Sequence, residues 1–229
     1  MSEKIRNLFG SISGRYDLLN DLLSFGVHRR WRKKAVRISG AGKGESVLDL
    51  AAGTGDFSIE FFKKTGSTGE VIATDFCEEM LDIARQKFSE KKLPIKTKVV
   101  DAMNISYSDE SFDYVSIAFG IRNVDDTVEC LNEIARVLKK GGKAVILEFG
   151  KPLGFFQPVF NQYSRIMMPL LGRTFAGSDS AYDYLRSSSA RYPCRKEFTG
   201  IMERTGRFKN VRYYTLSAGI AYVYIGERI

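Results

Sequence analysis

The sequence predicts an α/β fold around a mostly parallel sheet, and three observations carry that expectation. From Ser46 onward, short apolar runs alternate with stretches of helical period, as βαβ units require. The first run begins at Val47 and ends in an acid followed by Gly53-Thr54-Gly55, which reads as a buried strand entering a tight turn before a helix near Asp56. Later runs end in Asp75, in Asp101-Ala102 and in Phe119-Gly120-Ile121-Arg122-Asn123, and open α/β sheets bind ligands outside the carboxyl ends of their strands. These residues should converge on one crevice.

In chain order, residues 1–40 carry no strand pattern. Ile5, Leu8, Phe9 and Ile12 fall at helical spacing and residues 16–23 continue in apolar pairs, so a helical N-terminal extension is expected. Near its end, Phe25-Gly26-Val27-His28-Arg29-Arg30-Trp31-Arg32-Lys33-Lys34 sets the chain's only His and only Trp among five basic residues. Two readings are open for it: a solvated helix face with Trp31 in the core, or a ligand- or surface-binding face. After a linker at 40–44, strands are expected at 71–75, 95–100, 112–118 and 144–149. A helix at 77–88 has Met80, Leu81, Ala84 and Phe88 on one face. Another at 125–139 has an acidic start, Val128, Leu131, Ile134, Ala135 and Leu138 inward, and a Lys139-Lys140-Gly141-Gly142 stop. Residues 152–172 are very apolar but too interrupted, by Gln157, Asn161, Gln162 and Arg165, to span a bilayer. A lid over a greasy substrate, an interfacial helix and a buried core helix remain open there. A polar-aromatic segment at 177–185, a helix at 195–205 and a closing hairpin of 211–216 with 220–225 complete the chain. Residues 1–229 are read as one domain: the extension (1–40), a cofactor-binding half (45–150), a helical region (151–205) and the hairpin (206–229).

A chain of 229 residues that is 44% hydrophobic can bury the core of one larger α/β domain. Its 35 Lys and Arg against 27 Asp and Glu leave +8, which suits nucleic acid, an anionic membrane surface or an acidic ligand without choosing among them. Cys77, Cys130 and Cys194 are scattered and form no Cys-x-x-Cys pair, which argues against a disulfide framework or a zinc site and fits a reducing cytoplasm. No metal is expected. No apolar core segment marks the first twenty residues and no run reaches ~18 apolar residues, so a soluble, cytoplasmic protein is expected.

Gly53 and Gly55 let the backbone pass close under a ligand, with a helix N-terminus beside it. A dinucleotide site wants a third glycine where this chain has Ser58. S-adenosylmethionine has no pyrophosphate to cradle. It needs the close-approach glycines together with acids for the ribose hydroxyls and the methionyl amine, roles that Asp49 and Asp75 fit. A turn with no ligand is the third option. Asp75 suits two ribose hydroxyls, Phe76 and Met80 can pack on adenine, and Asp101 can accept from the exocyclic amine while the Ala102 and Met103 backbone meets the ring. Thr54 stands between the glycines. The competing use of Asp75 and Asp101 is as helix caps.

The turn, Asp75, Asp101-Ala102 and the helix ending at Gly142 resemble a class I S-adenosylmethionine-dependent methyltransferase over about two thirds of the chain. Three motifs narrow this: Arg15-Tyr16-Asp17-Leu18-Leu19-Asn20-Asp21-Leu22-Leu23-Ser24-Phe25-Gly26-Val27-His28-Arg29-Arg30-Trp31, Phe119-Gly120-Ile121-Arg122-Asn123-Val124 and Leu147-Glu148-Phe149-Gly150-Lys151-Pro152. They are similar to the ubiquinone/menaquinone biosynthesis C-methyltransferase family along nearly the whole chain. The resemblance implies a doubly wound, Rossmann-like, seven-stranded sheet with a reversed seventh strand, and S-adenosylmethionine as cofactor. It implies methylation of a prenylated quinol, with demethylmenaquinol ahead of a ubiquinone-pathway methoxybenzoquinol. The acceptor carbon is weakly nucleophilic until the neighbouring hydroxyl loses its proton, so the site must favour a phenolate and hold the methyl in line. Arg122 is expected to stabilise that oxyanion without acting as a base. The proton is assigned to His28, Asp17 or a water held by Tyr16. The bland alternatives are an ion pair for Arg122 and a structural histidine for His28.

The chain departs from the family at Ala52, where the turn usually has Gly or Cys, at Gly206-Arg207-Phe208, and at Tyr224, where a His is common. The rivals are an RNA or DNA methyltransferase and a non-catalytic cofactor-binding module. No Asn-Pro-Pro-Tyr follows the fourth strand, and Pro193-Cys194, which resembles a cytosine-methylating nucleophile, lies far beyond the crevice strands. No nucleic-acid partner is expected. Residues 152–171 could sheathe a prenyl tail and the positive charge could hold the chain at a membrane surface, while a homodimer is left open.

Overall fold

The computed structural model describes residues 6, 10–11, 13–154, 156–158, 160, 162–163, 184 and 187–229. Among them β1 (Ser46–Leu50), β2 (Glu70–Asp75), β3 (Lys96–Val99), β4 (Phe112–Ala118), β5 (Leu138–Phe149), β6 (Phe208–Leu216) and β7 (Ala221–Arg228) form one sheet in the order β3-β2-β1-β4-β5-β7-β6. The first five strands pair in parallel, and β7 lies antiparallel to both β5 and β6. The expected reversed seventh strand is therefore present, and β6 and β7 close the chain as the expected hairpin. The helices are α1 (Tyr16–Ser24), α2 (Val27–Ser39), α3 (Asp56–Thr65), α4 (Glu78–Glu90), α5 (Thr127–Val137) and α6 (Lys196–Arg204).

Both faces of the sheet are covered. Leu48 and Leu50 point to the face packed by Cys130, Leu131 and Ile134 of α5 and by Phe198 and Met202 of α6. Val47, Val71 and Val145 point to the other, against Trp31 and Ala35 of α2, Phe57 and Phe61 of α3, and Phe88 of α4. Because successive residues face opposite sides and both sides are buried at the centre of the sheet, β1, β2 and the end of β5 read as nearly continuous apolar runs, whereas the edge strands β3 and β6 are largely exposed. The basic run in α2 divides cleanly. Arg29, Arg30, Lys33 and Lys34 are exposed, while Trp31 is buried and its Nε1 donates to Ser217 Oγ at 2.8 Å.

The helix expected at 125–139 is shorter. Asp126 caps it, its side chain accepting from the N–H groups of Val128 and Glu129, and Leu138 has already turned extended to pair with Phe112 of β4. Lys139-Lys140-Gly141-Gly142 thus lies inside β5 rather than stopping a helix, and Val128, expected inward, is 47% exposed in the first turn. Most of 152–172 and 177–185, with Ile5, Leu8, Phe9 and Ile12, lies outside the described residues. No described helix is long and apolar enough to cross a membrane.

Candidate active site

The sheet changes winding direction between β1 and β4, the place where open α/β sheets bind ligands. The chain leaves β1 through a turn whose φ is positive at Ala51 (47°), Gly53 (55°) and Gly55 (83°), and it enters α3 at Asp56. The two glycines serve different purposes. A Cβ on Gly53 would meet nothing nearer than Met80 Cε at 3.8 Å and Tyr16 Cε1 at 3.9 Å, so this is the close-approach position. A Cβ on Gly55 would overlap the Phe88 ring and crowd Ala84 Cβ at 3.2 Å. On its Cβ side Gly55 is packed by α4, so glycine is required there by the fold itself.

Asp75, 7% exposed, ends β2. Its Oδ2 accepts from the Gly53 N–H at 2.8 Å and its Oδ1 from the Cys77 N–H at 2.9 Å. Burial pushes this carboxyl above the usual range, opposed by the N–H groups of Cys77, Gly53 and Phe76. A carboxylate offers about four lone-pair positions, so two backbone donors leave room for a diol. Asp75 thus braces the turn that leads into α4, whose N-cap is Cys77, and keeps acceptor capacity toward the crevice. Asp101 Oδ1 accepts from the Met103 N–H at 3.0 Å in a tight turn, and Ala102 and Met103 pack on the core. Met80 is buried and Phe76 half-buried beside Asp75.

Asp49 is fully buried, and its oxygens accept from Ser58 Oγ and Ser116 Oγ, each at 2.6 Å. Burial raises its carboxyl to about 6 against the pull of those two hydroxyls. Ser58 and Ser116 thus take up two of the roughly four lone-pair positions of Asp49, and its role toward a ribose hydroxyl or a methionyl amine stays a proposal.

Across the crevice, β4 gives way to Phe119, which adopts φ 57°, and Gly120 follows because a Cβ there would overlap that of Ala51. A left-handed bulky residue is uncommon and marks a place where the surroundings dictate the backbone. The Phe119 ring lies 4.4 Å from that of Phe149, with Arg32 6.0 Å over Phe119 and Arg122 5.4 Å over Phe149. The Arg122 side chain is 4% exposed. Its Nη1 donates to Glu148 Oε1 at 2.8 Å and to the Phe119 carbonyl at 2.5 Å, while its Nε is buried with no partner among the described residues. Glu148 is 1% exposed and also accepts from the Phe149 N–H at 2.8 Å. Burial pushes the Glu148 carboxyl up and Arg122 holds it down. Next to Arg122, buried Asn123 accepts from Tyr184 Oη at 3.0 Å.

The N-terminal helices supply the cover. Burial raises the Tyr16 phenol, opposed by Arg32, by a hydrogen bond to Asn20 and by Arg122, so Tyr16 sits in the field of both guanidinium groups. Asp17 accepts from Thr54 Oγ1 at 2.6 Å through Oδ1 and from Lys87 Nζ at 2.7 Å through Oδ2. His28 belongs to the corner between α1 and α2. Its Nδ1 lies 2.7 Å from Ser24 Oγ and 3.1 Å from the Asn20 carbonyl, and its Nε2 3.4 Å from Asp21 Oδ1. Burial, then Arg32, pushes its pKa down, which leaves a neutral ring suited to a corner joint. Tyr224, at the departure from the family pattern, is buried and its Oη accepts from the Arg195 N–H.

Glu148, Lys87 and Arg32 escaped the sequence reading. A lone acid in the apolar run 144–149 could have flagged Glu148, because a charge inside a buried strand needs a partner. Lys87 and Arg32 look like ordinary charges on helix faces.

Residues 1–228 match the sequence model of the ubiE/COQ5 methyltransferase family. A ubiquinone/menaquinone biosynthesis C-methyltransferase UbiE from Bdellovibrio bacteriovorus is 48% identical over 98% of this chain and 95% of its own length. A demethylmenaquinone methyltransferase from Staphylococcus aureus is 39% identical over 99% and 93%, respectively. Among solved structures, a SAM-dependent methyltransferase from Thermotoga maritima, described as a possible histamine N-methyltransferase, matches with a TM-score of 0.70 at 21% identity, covering 97% of this chain and 99% of that one. That likeness speaks for the fold.

Proposed function

This chain belongs to the ubiE/COQ5 methyltransferase family, and on that premise we propose that it methylates a ring carbon of demethylmenaquinol in menaquinone biosynthesis. It is an S-adenosylmethionine-dependent methyltransferase of quinone biosynthesis, and its acceptor is a prenylated quinol. Bound S-adenosylmethionine supplies an electrophilic methyl group on a sulfonium. The donor set fits this cofactor: Gly53 presents bare backbone, Asp75 has lone pairs left for the ribose diol, and Met80 lines the same wall. Phe76 and Met80 would hold the adenine, and Asp101 and Ala102 would meet its polar edge.

One observation carries the acceptor side: the Arg122 guanidinium is held by Glu148 while its Nε stays buried and unpartnered. Such a donor costs free energy until something accepts from it, and a quinolate oxygen is a matching acceptor. A fixed cation beside the quinol also lowers the hydroxyl's pKa, which makes the ring carbon nucleophilic. Arginine keeps its own proton, so the quinol proton leaves by another route. Asp17 is bound to Thr54 and Lys87, and His28 to its corner, which favours a water held by Tyr16.

Incubation with labelled S-adenosylmethionine and, separately, reduced demethylmenaquinone, a demethylated benzoquinol and total RNA tests the reading. Label in the menaquinol alone is expected. Label in the benzoquinol alone would move the enzyme to the ubiquinone pathway, and label in RNA would overturn the acceptor class. Peripheral membrane contact is part of the same reading. Exposed Arg29, Arg30, Lys33 and Lys34 stand on α2 close to Phe25, which is 76% exposed, a basic face beside an apolar side chain. Sedimentation with anionic liposomes should capture the chain at low salt and release it at high salt. No capture at low salt would refute the contact.

A further inference from the structure

We propose that Lys87 is a positioning residue that latches α1 over the cofactor turn, so that the chain binds S-adenosylmethionine tightly only with α1 closed. The two N-terminal helices are anchored unequally. In α2, His28, Trp31, Arg32, Ala35, Val36 and Ser39 are buried, whereas α1 buries Leu19 alone. Between them the chain passes through consecutive left-handed residues, Phe25 (φ 49°) and Gly26 (φ 70°), a corner that Ser24, His28, Asp21 and Arg29 hold. At the far end of α1 the Tyr16 ring is the one apolar anchor, beside a half-buried Asp17 and an exposed Leu18, so polar ties carry much of the hold. There Lys87 Nζ reaches Asp17 Oδ2 at 2.7 Å, Asp56 Oδ1 at 2.7 Å and Thr54 Oγ1 at 3.2 Å, while Thr54 Oγ1 donates to Asp17. Arg32 Nη1 continues the chain to Asp56 Oδ2 at 3.3 Å.

Charges of alternating sign thus run Asp17, Lys87, Asp56, Arg32, from α1 through α4 and α3 to α2. Burial would raise the Asp56 carboxyl, yet Arg32 and Lys87 more than offset it and hold it below the usual range. The Lys87 side chain is 17% exposed, so these contacts are less screened than surface pairs. What the latch positions is Tyr16, next to Asp17, whose ring borders the open side of Gly53 together with Met80. Lifting α1 removes one wall of the cofactor site. The latch is independent of which quinol is methylated.

The test compares the full chain with Lys87→Met and Lys87→Arg by hydrogen exchange and by titration with S-adenosylhomocysteine. In Lys87→Met, α1 amides should exchange faster without ligand while those of α2 stay as in the parent. The ligand Kd should rise about tenfold if the closed fraction falls to about a tenth, and Lys87→Arg should restore most of both. Parental exchange in α1 with parental Kd would overturn the latch, as would loosening spread evenly over the whole domain. Should Lys87→Met fail to fold, Asp17→Asn weakens the latch from the other side and leaves Lys87 with Asp56. The same two readouts then decide.

Discussion

Along the cofactor wall, Asp75 is held by backbone N–H groups of Gly53 and Cys77. On the acceptor wall, Arg122 is held chiefly by the side chain of Glu148, a charge from the next strand. The first arrangement follows from the path of the backbone through a strand, a turn and a helix. The second exists only because β4 and β5 are neighbours and because both charges are removed from water together. A backbone-built wall should be sensitive where glycine is required and tolerant elsewhere. A wall built on a buried pair should fail when one partner is lost and recover its stability, though not its chemistry, when both are replaced.

The largest expected effect lies on the acceptor wall. Arg122→Ala should lower kcat by about 10²–10³-fold, the usual loss for one oxyanion donor, and leave cofactor affinity nearly unchanged. The same change strands Glu148 and should cost about 3–5 kcal/mol of stability. Arg122→Met with Glu148→Leu should regain most of that stability in denaturant unfolding while turnover stays low. Loss of cofactor binding in Arg122→Ala would place the arginine on the cofactor wall instead.

The glycines test the other wall. Gly55→Ala puts a methyl into the Phe88 ring at positive φ and should cost about 3 kcal/mol of stability. Gly53→Ala has room and should cost about 1–2 kcal/mol, but raise the Kd for S-adenosylhomocysteine about tenfold or more. The reverse pattern, with Gly55→Ala weakening the ligand at unchanged stability, would return Gly55 to the binding surface.

Beneath the turn, Asp49 provides the most specific test. Its folded pKa, about 6, lies above the ordinary carboxylate value, so its protonated form favours folding. That contribution is complete below the unfolded pKa and is lost as pH rises through about 6. Above that pH the parent carries a buried charge worth on the order of 2–3 kcal/mol against the fold. Asp49→Asn removes the charge. Its stability relative to the parent should therefore improve by that amount between pH 4 and pH 8, measured by urea unfolding across the range. A difference that stays flat with pH would show that the two serine hydroxyls fully offset the burial.

Much of the fold around the turn was legible because its signals are local. Gly53, the acids at the strand ends and the closing hairpin lie within runs whose period and turn residues declare them, and β4 was read to the residue at 112–118. The end of α5 was misread because Leu138 suits a helix face as well as a strand, and pairing with Phe112 decides between them. Gly55 and Asp49 also serve the fold, through Phe88 and through Ser58 and Ser116, and no local pattern shows those neighbours.

From the sequence alone follow the α/β class, the turn after β1, the cofactor type and the family, since each rests on residues adjacent in the chain. The tertiary structure decided who touches whom. Glu148 meets Arg122 across 26 positions and Lys87 meets Asp17 across 70, through strand order and helix docking that no local pattern encodes. Burial then turns these charges into commitments, because a charge removed from water must find its partner wherever the fold puts it.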